Sequence, residues 1–277
     1  MKFAISSTPW IDPMPPLDKQ IIADNFSRAA STYDAWAEAH REIAHRLAAM
    51  LHQKPHGALD LGCGTGILAT ELLQRFPGLR LHGIDLAPVM IARCRERWAG
   101  RPEVTFAVGD LETSHFPFVP DLIASSCAFQ WLPDLSPALA SLYATLQPGG
   151  RLAFAELAAG SLPELRETLD RLKLPSETPL IYRDPDNSVS DLLEAGFRLQ
   201  EHTTGEVTVW HADARTALKS FKGIGAVFTG HPGHRPLAPR QIRDLLQAYA
   251  ERFANSQGQV PVTYRAAWFV ASKETSR

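Results

Sequence analysis

Cysteine is scarce in this chain. Cys63, Cys94 and Cys127 are the only three in 277 residues, spaced 31 and 33 positions apart with no Cys-x-x-Cys pair. That excludes a disulfide framework and a cysteine zinc site, and it reads as buried thiols of a reducing, cytoplasmic setting. A charge excess is missing too: 28 Lys and Arg stand against 30 Asp and Glu, a net charge of −2. No general basic field is therefore available for nucleic acid. No apolar run approaches the roughly 20 residues that cross a bilayer, so no membrane partner is expected. Internal repeats and low-complexity tracts are absent. The ten histidines are scattered, and the one close pair, His231 and His234, is split by a Pro-Gly turn, which reads as a loop and not as a metal ligand set. The first residues carry one Lys and a very short apolar stretch, which is no secretory signal. Pro9, Pro13, Pro15 and Pro16 instead predict an extended leader over residues 1–17.

What is present is an ordinary globular composition, 45% apolar and 21% charged, long enough to bury a sizeable core. One stretch stands out, Leu59-Asp-Leu-Gly-Cys-Gly-Thr-Gly66. It sits between a short apolar strand, 57–61, and an amphipathic helix, 67–76. A strand, a glycine turn and a helix in that order let a nucleotide lie against bare backbone. A dinucleotide site spaces its glycines as Gly-x-Gly-x-x-Gly. Here the third glycine comes one residue early, at Gly66, and Ile67 holds the dinucleotide position.

Further segments follow in order. The strand 80–85 ends on Asp85, 19 residues after Gly66, where a carboxylate can accept both ribose hydroxyls. The strand 104–108 runs into Gly109-Asp110-Leu111, and 122–126 continues into Cys127-Ala-Phe-Gln130-Trp131. A Pro-Gly-Gly turn at 148–150 precedes a fifth strand. Strands alternating with helices predict a parallel sheet wound by right-handed crossovers, with ligands beyond the strands' carboxyl ends. Upstream, 19–30 and 34–51 read as helices, the second with Asp34 as N-cap. Downstream, 162–172 is a helix, 174–186 a loop with three prolines, and 189–195 a short helix. A strand over 197–210 has a bulge at Gly205, and a last strand covers 260–271. Two helices around a Gly/Pro-rich loop fall between those strands.

The Gly-x-Gly-x-Gly turn with Asp60 before it resembles the first motif of class I S-adenosylmethionine-dependent methyltransferases. That resemblance implies an α/β, Rossmann-like, mostly parallel seven-stranded sheet with helices on both faces. It divides the chain into the leader, a helical flap at 18–56, a cofactor-binding core at 57–158, and a remainder, 159–277, with a substrate lid at about 213–254. It also implies S-adenosyl-L-methionine as co-substrate, with no metal. Asp60, Gly62, Gly64, Gly66 and Asp85 would contact it, with Asp110 and Leu111 at the adenine corner.

Narrower motifs are Phe26-Ser-Arg-Ala-Ala-Ser-Thr-Tyr33-Asp, Phe129-Gln-Trp-Leu, Gly160-Ser-Leu-Pro-Glu-Leu165, Lys222-Gly-Ile-Gly-Ala226 and Pro261-Val-Thr-Tyr264. Together they resemble the malonyl-acyl-carrier-protein O-methyltransferase family of biotin synthesis, over about residues 20–273. The resemblance implies methylation of the free carboxylate of a malonyl thioester on acyl-carrier protein, or on coenzyme A. Tyr33 would be catalytic, and Gln130, Trp131, Arg183, Lys222 and Tyr264 would face the substrate. One departure is visible: His40 stands where the family commonly has Gln. Arg215, Lys219, Lys222, Arg240 and Arg243 offer cations at helical spacing for an acidic carrier. The competing readings are a methyltransferase for a free, aconitate-like acid and a non-catalytic S-adenosylmethionine-binding module.

Overall fold

Strand β1 (Gly57–Leu61) is buried at every position, as a strand covered on both faces must be. It forms the centre of a seven-stranded sheet in a computed structural model that describes residues 18–175, 182–224 and 237–275; the side chain of Lys222 also lies outside the description. The other strands are β2 (Arg80–Asp85), β3 (Val104–Val108), β4 (Leu122–Ser126), β5 (Arg151–Leu157), β6 (Arg198–His211) and β7 (Val260–Ser272). Their order across the sheet is β3-β2-β1-β4-β5-β7-β6. The first five pair in parallel, and β7 runs antiparallel between β5 and β6. Winding reverses between β1 and β4, so the crevice beyond their carboxyl ends lies at the topological switch point.

Helices cover both faces. On one side lie α3 (Glu38–Ala49), α4 (Ile67–Arg75) and α5 (Pro88–Arg97), which bury Ile43, Leu47, Leu72 and Ile91 against the sheet. On the other lie α6 (Ser136–Thr145) and α8 (Pro185–Glu194), with Leu139, Leu142 and Leu192 against Phe154 and Phe269. Trp268 of β7 donates its indole N–H to the Ile43 carbonyl at 2.9 Å, tying α3 to the sheet. The remaining helices are α1 (Lys19–Ala29), the short α2 (Tyr33–Trp36), α7 (Pro163–Leu172), and α9 (Ala214–Gly223) and α10 (Pro239–Phe253) between β6 and β7. No described helix is long and apolar enough to cross a membrane.

Three expectations are corrected. The single helix over 34–51 is broken at Ala37 into α2 and α3, and Asp34 does not cap it. Its carboxylate instead accepts from the Thr65 hydroxyl at 2.5 Å and from Arg97 at 2.8 Å, both beside the glycine turn. Helix α8 starts at Pro185, not 189, because Asp184 caps it by accepting from the Asp186 N–H and Pro185 fits the first turn. The irregularity in β6 falls between Leu199 and Glu201; Gly205 keeps register with Ala266, and an added Cβ there would meet the Trp268 ring at an ordinary 3.5 Å. The expected leader, residues 1–17, and much of the loop between α9 and α10 lie outside the described residues.

At Gly66, φ is +84°, and an added Cβ would come within 2.4 Å of the Trp98 ring. Gly66→Ala is therefore expected to lower stability by about 1–3 kcal/mol, from left-handed strain and overpacking together. A thermal melt with and without S-adenosylhomocysteine measures it.

Candidate active site

The turn after β1 is held from both ends. Gly62 and Cys63 donate backbone N–H bonds to the Ile84 carbonyl at 2.8 and 2.9 Å, which pins the turn against β2. The Gly64 N–H donates to Asp85 at 2.9 Å, and the other oxygen of Asp85 accepts from Ala87 at 2.8 Å. An added Cβ at Gly62 would strike Ala128, while at Gly64 it would meet nothing within 4 Å. Gly64 thus faces open space, a cradle where a ligand can rest on backbone.

Three small cavities adjoin there, and Tyr33 lines all of them. The largest, about 80 Å³, is walled by Gly64, Asp85, Leu86, Gly109 and Leu111, with Phe26 of α1 above. The second lies over the turn and includes Asp60, Thr65 and Ser126. Asp60 is fully buried, and neither carboxylate oxygen makes a hydrogen bond of ordinary geometry, although the Ala69 amide lies close enough to favour its ionised form. Burial, reinforced by the Asp85 carboxylate, pushes its carboxyl up to about 7; the Ala69 amide offsets this only in part.

The third cavity lies on the far side of Tyr33. Its walls are Leu157, Leu162 and Phe221 with the rings of Phe26, Trp131, Tyr182 and Tyr264. Gln130 also lines it; its side-chain oxygen accepts from the Leu157 N–H at 3.0 Å, which leaves its two N–H donors for the cavity. His40 lies between Tyr33 and Tyr264, with ring centroids at 5.9 and 6.3 Å. Burial, helped by Arg41, lowers the His40 imidazole to about 4, so it is neutral near pH 7. Burial raises the phenols of Tyr33 and Tyr264 as well, and that of Tyr182 to about 12, so all three remain donors. Cys127 stands between this cavity and the first, with φ at +56°, a conformation rare for a residue with a side chain. Burial pushes its thiol to about 12, so it is protonated there. Two wider grooves of about 500 Å³ are open surface features at α3/β6 and beside Arg265, away from the glycine turn.

Residues 58–150 match a family model described as a methyltransferase domain. Among solved structures, the chain resembles the YcgJ protein of Bacillus subtilis, with a TM-score of 0.60 at 15% identity over 85% of this chain and 99% of that one. It also resembles a phosphoethanolamine N-methyltransferase 2 from Haemonchus contortus in complex with S-adenosyl-L-methionine, with a TM-score of 0.57 at 17% identity over 92% of this chain and 60% of that one. Those likenesses establish the fold. The malonyl-[acyl-carrier protein] O-methyltransferase of Herminiimonas arsenicoxydans is 34% identical over 272 residues, covering 95% of this chain and 100% of its own. That of Serratia marcescens is 34% identical over 268 residues, 93% of this chain and 97% of its own. The chain belongs to the malonyl-[acyl-carrier protein] O-methyltransferase family.

It is accordingly an S-adenosylmethionine-dependent methyltransferase, and its residues fit that co-substrate. The unpaired Asp60 carboxylate suits a cationic α-ammonium, Asp85 has lone pairs left for ribose hydroxyls, and Gly64 leaves room for the ligand. Among the described residues no cluster of three or more His, Cys, Asp or Glu side chains could hold a metal ion.

Most residues singled out from the methyltransferase's sequence converge on these cavities, but two turn elsewhere. Asp110 lies beside the nucleotide wall; its carboxylate pairs with Lys19 of α1 at 2.5 Å and accepts from the Glu112 N–H at 3.0 Å. Glu112 shares that lysine. Arg183, expected to meet substrate, is corrected: its guanidinium turns inward to the Phe129 and Leu132 carbonyls and to Glu156. The side chain of Lys222 lies outside the described residues. Tyr182, Cys127 and the Asp34–Thr65–Arg97 contact were not anticipated. Tyr182 sits in a proline-rich stretch without periodicity, so no local signal marks it; the position of Cys127, directly after β4, was the available clue.

Asp60 gives this site a pH signature. Burial pushes its carboxyl up to about 7 in the free protein, and pairing with a ligand ammonium would hold it ionised. Affinity for S-adenosylhomocysteine should weaken as pH falls, by about fivefold from pH 7 to 6 through Asp60. Asp85, also raised by burial, acts in the same direction. Calorimetric titrations across that interval check it; Asp60→Asn should flatten most of the slope.

Proposed function

We propose that this methyltransferase methylates the free carboxylate of a malonyl thioester, preferentially malonyl-acyl-carrier protein, in the cytoplasm. The ester would prime pimeloyl chain synthesis for biotin. The relatives named for that reaction support the substrate, and the observation that carries it is the composition of the acceptor cavity. Its described walls are apolar and aromatic with neutral donors, and no Lys or Arg is among the described residues that line it.

Bound S-adenosylmethionine supplies a methyl group made electrophilic by its sulfonium. A malonyl carboxylate is already ionised near pH 7, because carboxyls titrate near pKa ~4. The enzyme therefore needs no strong base, in keeping with a cavity whose phenols stay protonated and whose imidazole is a weak base. Tyr33, at the junction of the cavities, can donate to one carboxylate oxygen and Gln130 to the other. Neutral donors suit an attacking anion, since a tight cation on it would stabilise the ground state more than the transition state. The apolar walls exclude water and hold the acceptor in line, which can supply several kcal/mol through orientation.

The same walls favour a thioester over a free diacid. A malonyl thioester presents one carboxylate and an apolar remainder, whereas a free aconitate-like acid would bury a further charge with no counter-ion among the described walls. For the carrier, exposed Arg215 and Lys219 on α9 and Arg240 and Arg243 on α10 offer cations on the insertion beside the cavity. Their effect should be screened by salt.

The test is mass analysis of product from malonyl-carrier protein, malonyl-coenzyme A and free diacids. One added methyl on the distal carboxyl of the carrier-bound group, at the highest rate, is expected; a faster free diacid would contradict the reading. Tyr33→Phe should lower turnover by about ten- to a hundredfold, the scale of one hydrogen bond to a charged group. Its affinity for S-adenosylhomocysteine should stay near the native value.

A further inference from the structure

Among the described residues Arg183 is a cation bound directly to the acceptor turn, and both terminal nitrogens are engaged by the protein. One terminal nitrogen donates to the Phe129 carbonyl at 2.9 Å and lies 3.4 Å from Glu156; the other donates to the Leu132 carbonyl. Those carbonyls bracket the single 3₁₀ turn Phe129–Trp131, which carries Gln130 and Trp131 into the acceptor cavity. Glu156 is 1% exposed and also accepts from the Ser188 hydroxyl. Its neighbour on β5, Leu157, supplies the N–H that fixes the Gln130 oxygen. The backbone of Arg183 is pinned too, its carbonyl accepting from Ala159 at 2.8 Å. Consecutive residues of β5 thus hold the turn from two sides, Glu156 through Arg183 and Leu157 through Gln130.

We propose that Arg183 is a positioning residue for methyl transfer: its guanidinium fork staples the 129–132 turn so that Gln130 presents its amide donors to the acceptor carboxylate. The inference rests on the carboxylate reading above. Several features of the chemistry follow from it. A guanidinium is planar with donors fixed in a fork, so one side chain can span both ends of a turn; an ammonium on a flexible stem cannot. Pairing with Glu156 answers the charge of Arg183, so the acceptor anion meets the neutral Gln130 amide and not a cation. The arginine therefore contributes geometry to the reaction without stabilising the reactant anion, as a methyl transfer that consumes that anion requires.

Two measurements on the full-length enzyme test this. Hydrogen exchange of residues 127–132, read by mass spectrometry on native protein, Arg183→Lys and Ser188→Ala, needs no substrate. Faster exchange confined to the turn is expected in both variants, more in Arg183→Lys, with S-adenosylhomocysteine affinity within about twofold of native. Native protection in Arg183→Lys would overturn the proposal. The second is a double-mutant cycle with Gln130→Ala, followed by KM and kcat for malonyl-carrier protein. Arg183→Lys alone should raise KM about tenfold, and in the Gln130→Ala background should add less than twofold. Fully additive losses would show that Arg183 acts on the acceptor independently of Gln130, and would overturn it. If Arg183→Lys does not fold, Ser188→Ala carries both measurements, since it loosens the Glu156 anchor alone. Failure of native enzyme to methylate malonyl-carrier protein would sink the substrate reading and leave the exchange result to decide on Arg183.

Discussion

A carboxyl group without a partner, buried where β1 meets its glycine turn, is the constraint on which the rest of this site depends. Asp60 is enclosed by the central strand, and neither of its oxygens makes a hydrogen bond of ordinary geometry, the Ala69 amide offsetting the burial only in part. An isolated buried carboxylate is costly, and the group answers by titrating near 7 in the free protein. Its contribution to the stability of the free fold is therefore greatest in acid and declines as pH rises from about 4 to about 7. Such a group suits a cation, and the proposed occupant is the α-ammonium of the co-substrate. Everything around it serves that place: the Ile84 carbonyl pins the turn, Asp85 holds the Gly64 amide, and Gly64 leaves the approach open.

Helices α1 and α2 close this place from above, with Phe26, Ala30 and Tyr33 packed against Ala87 and Met90 and with partly exposed polar contacts. Asp34 reaches Thr65 and Arg97 beside the glycine turn, and Lys19 reaches Asp110 and Glu112 beside the nucleotide wall. Partly exposed ion pairs contribute little each, typically under about 1 kcal/mol, so the apolar contact with Ala87 and Met90 carries most of the closure. Tyr33, adjacent to Asp34, is thereby set at the crossing of the three cavities. On its other side the cover meets the β6–β7 insertion, where Thr32 donates to the Gly223 carbonyl at 3.3 Å and a Cβ at Gly223 would strike Trp36. The co-substrate loop and the acceptor side are thus joined through five residues of flap.

Much of this was legible in the sequence because it is local. The strands from β1 to β4 follow from short apolar runs, and the glycine spacing with Asp60 and Asp85 marks the co-substrate side without any tertiary information. What was not legible depends on partners distant in the chain. Asp34 looks like a helix cap, but Thr65 and Arg97 compete for its carboxylate and the helix breaks at Ala37. Gly205 looks like a bulge, but the strand keeps register there with Ala266, and the irregularity falls at Leu199–Glu201 instead. Arg183 looks like a substrate clamp, and only the fold reveals that Glu156, 27 residues earlier, and two carbonyls of the acceptor turn already engage it.

The most direct test of the account is the thermal stability of Asp60→Asn against native enzyme at pH 8, each with and without S-adenosylhomocysteine. If Asp60 is an uncompensated buried charge awaiting a cation, the free variant melts higher than the free native protein, and the ligand-induced rise in Tm largely disappears. A free variant that melts lower, together with an undiminished ligand-induced rise, would contradict it.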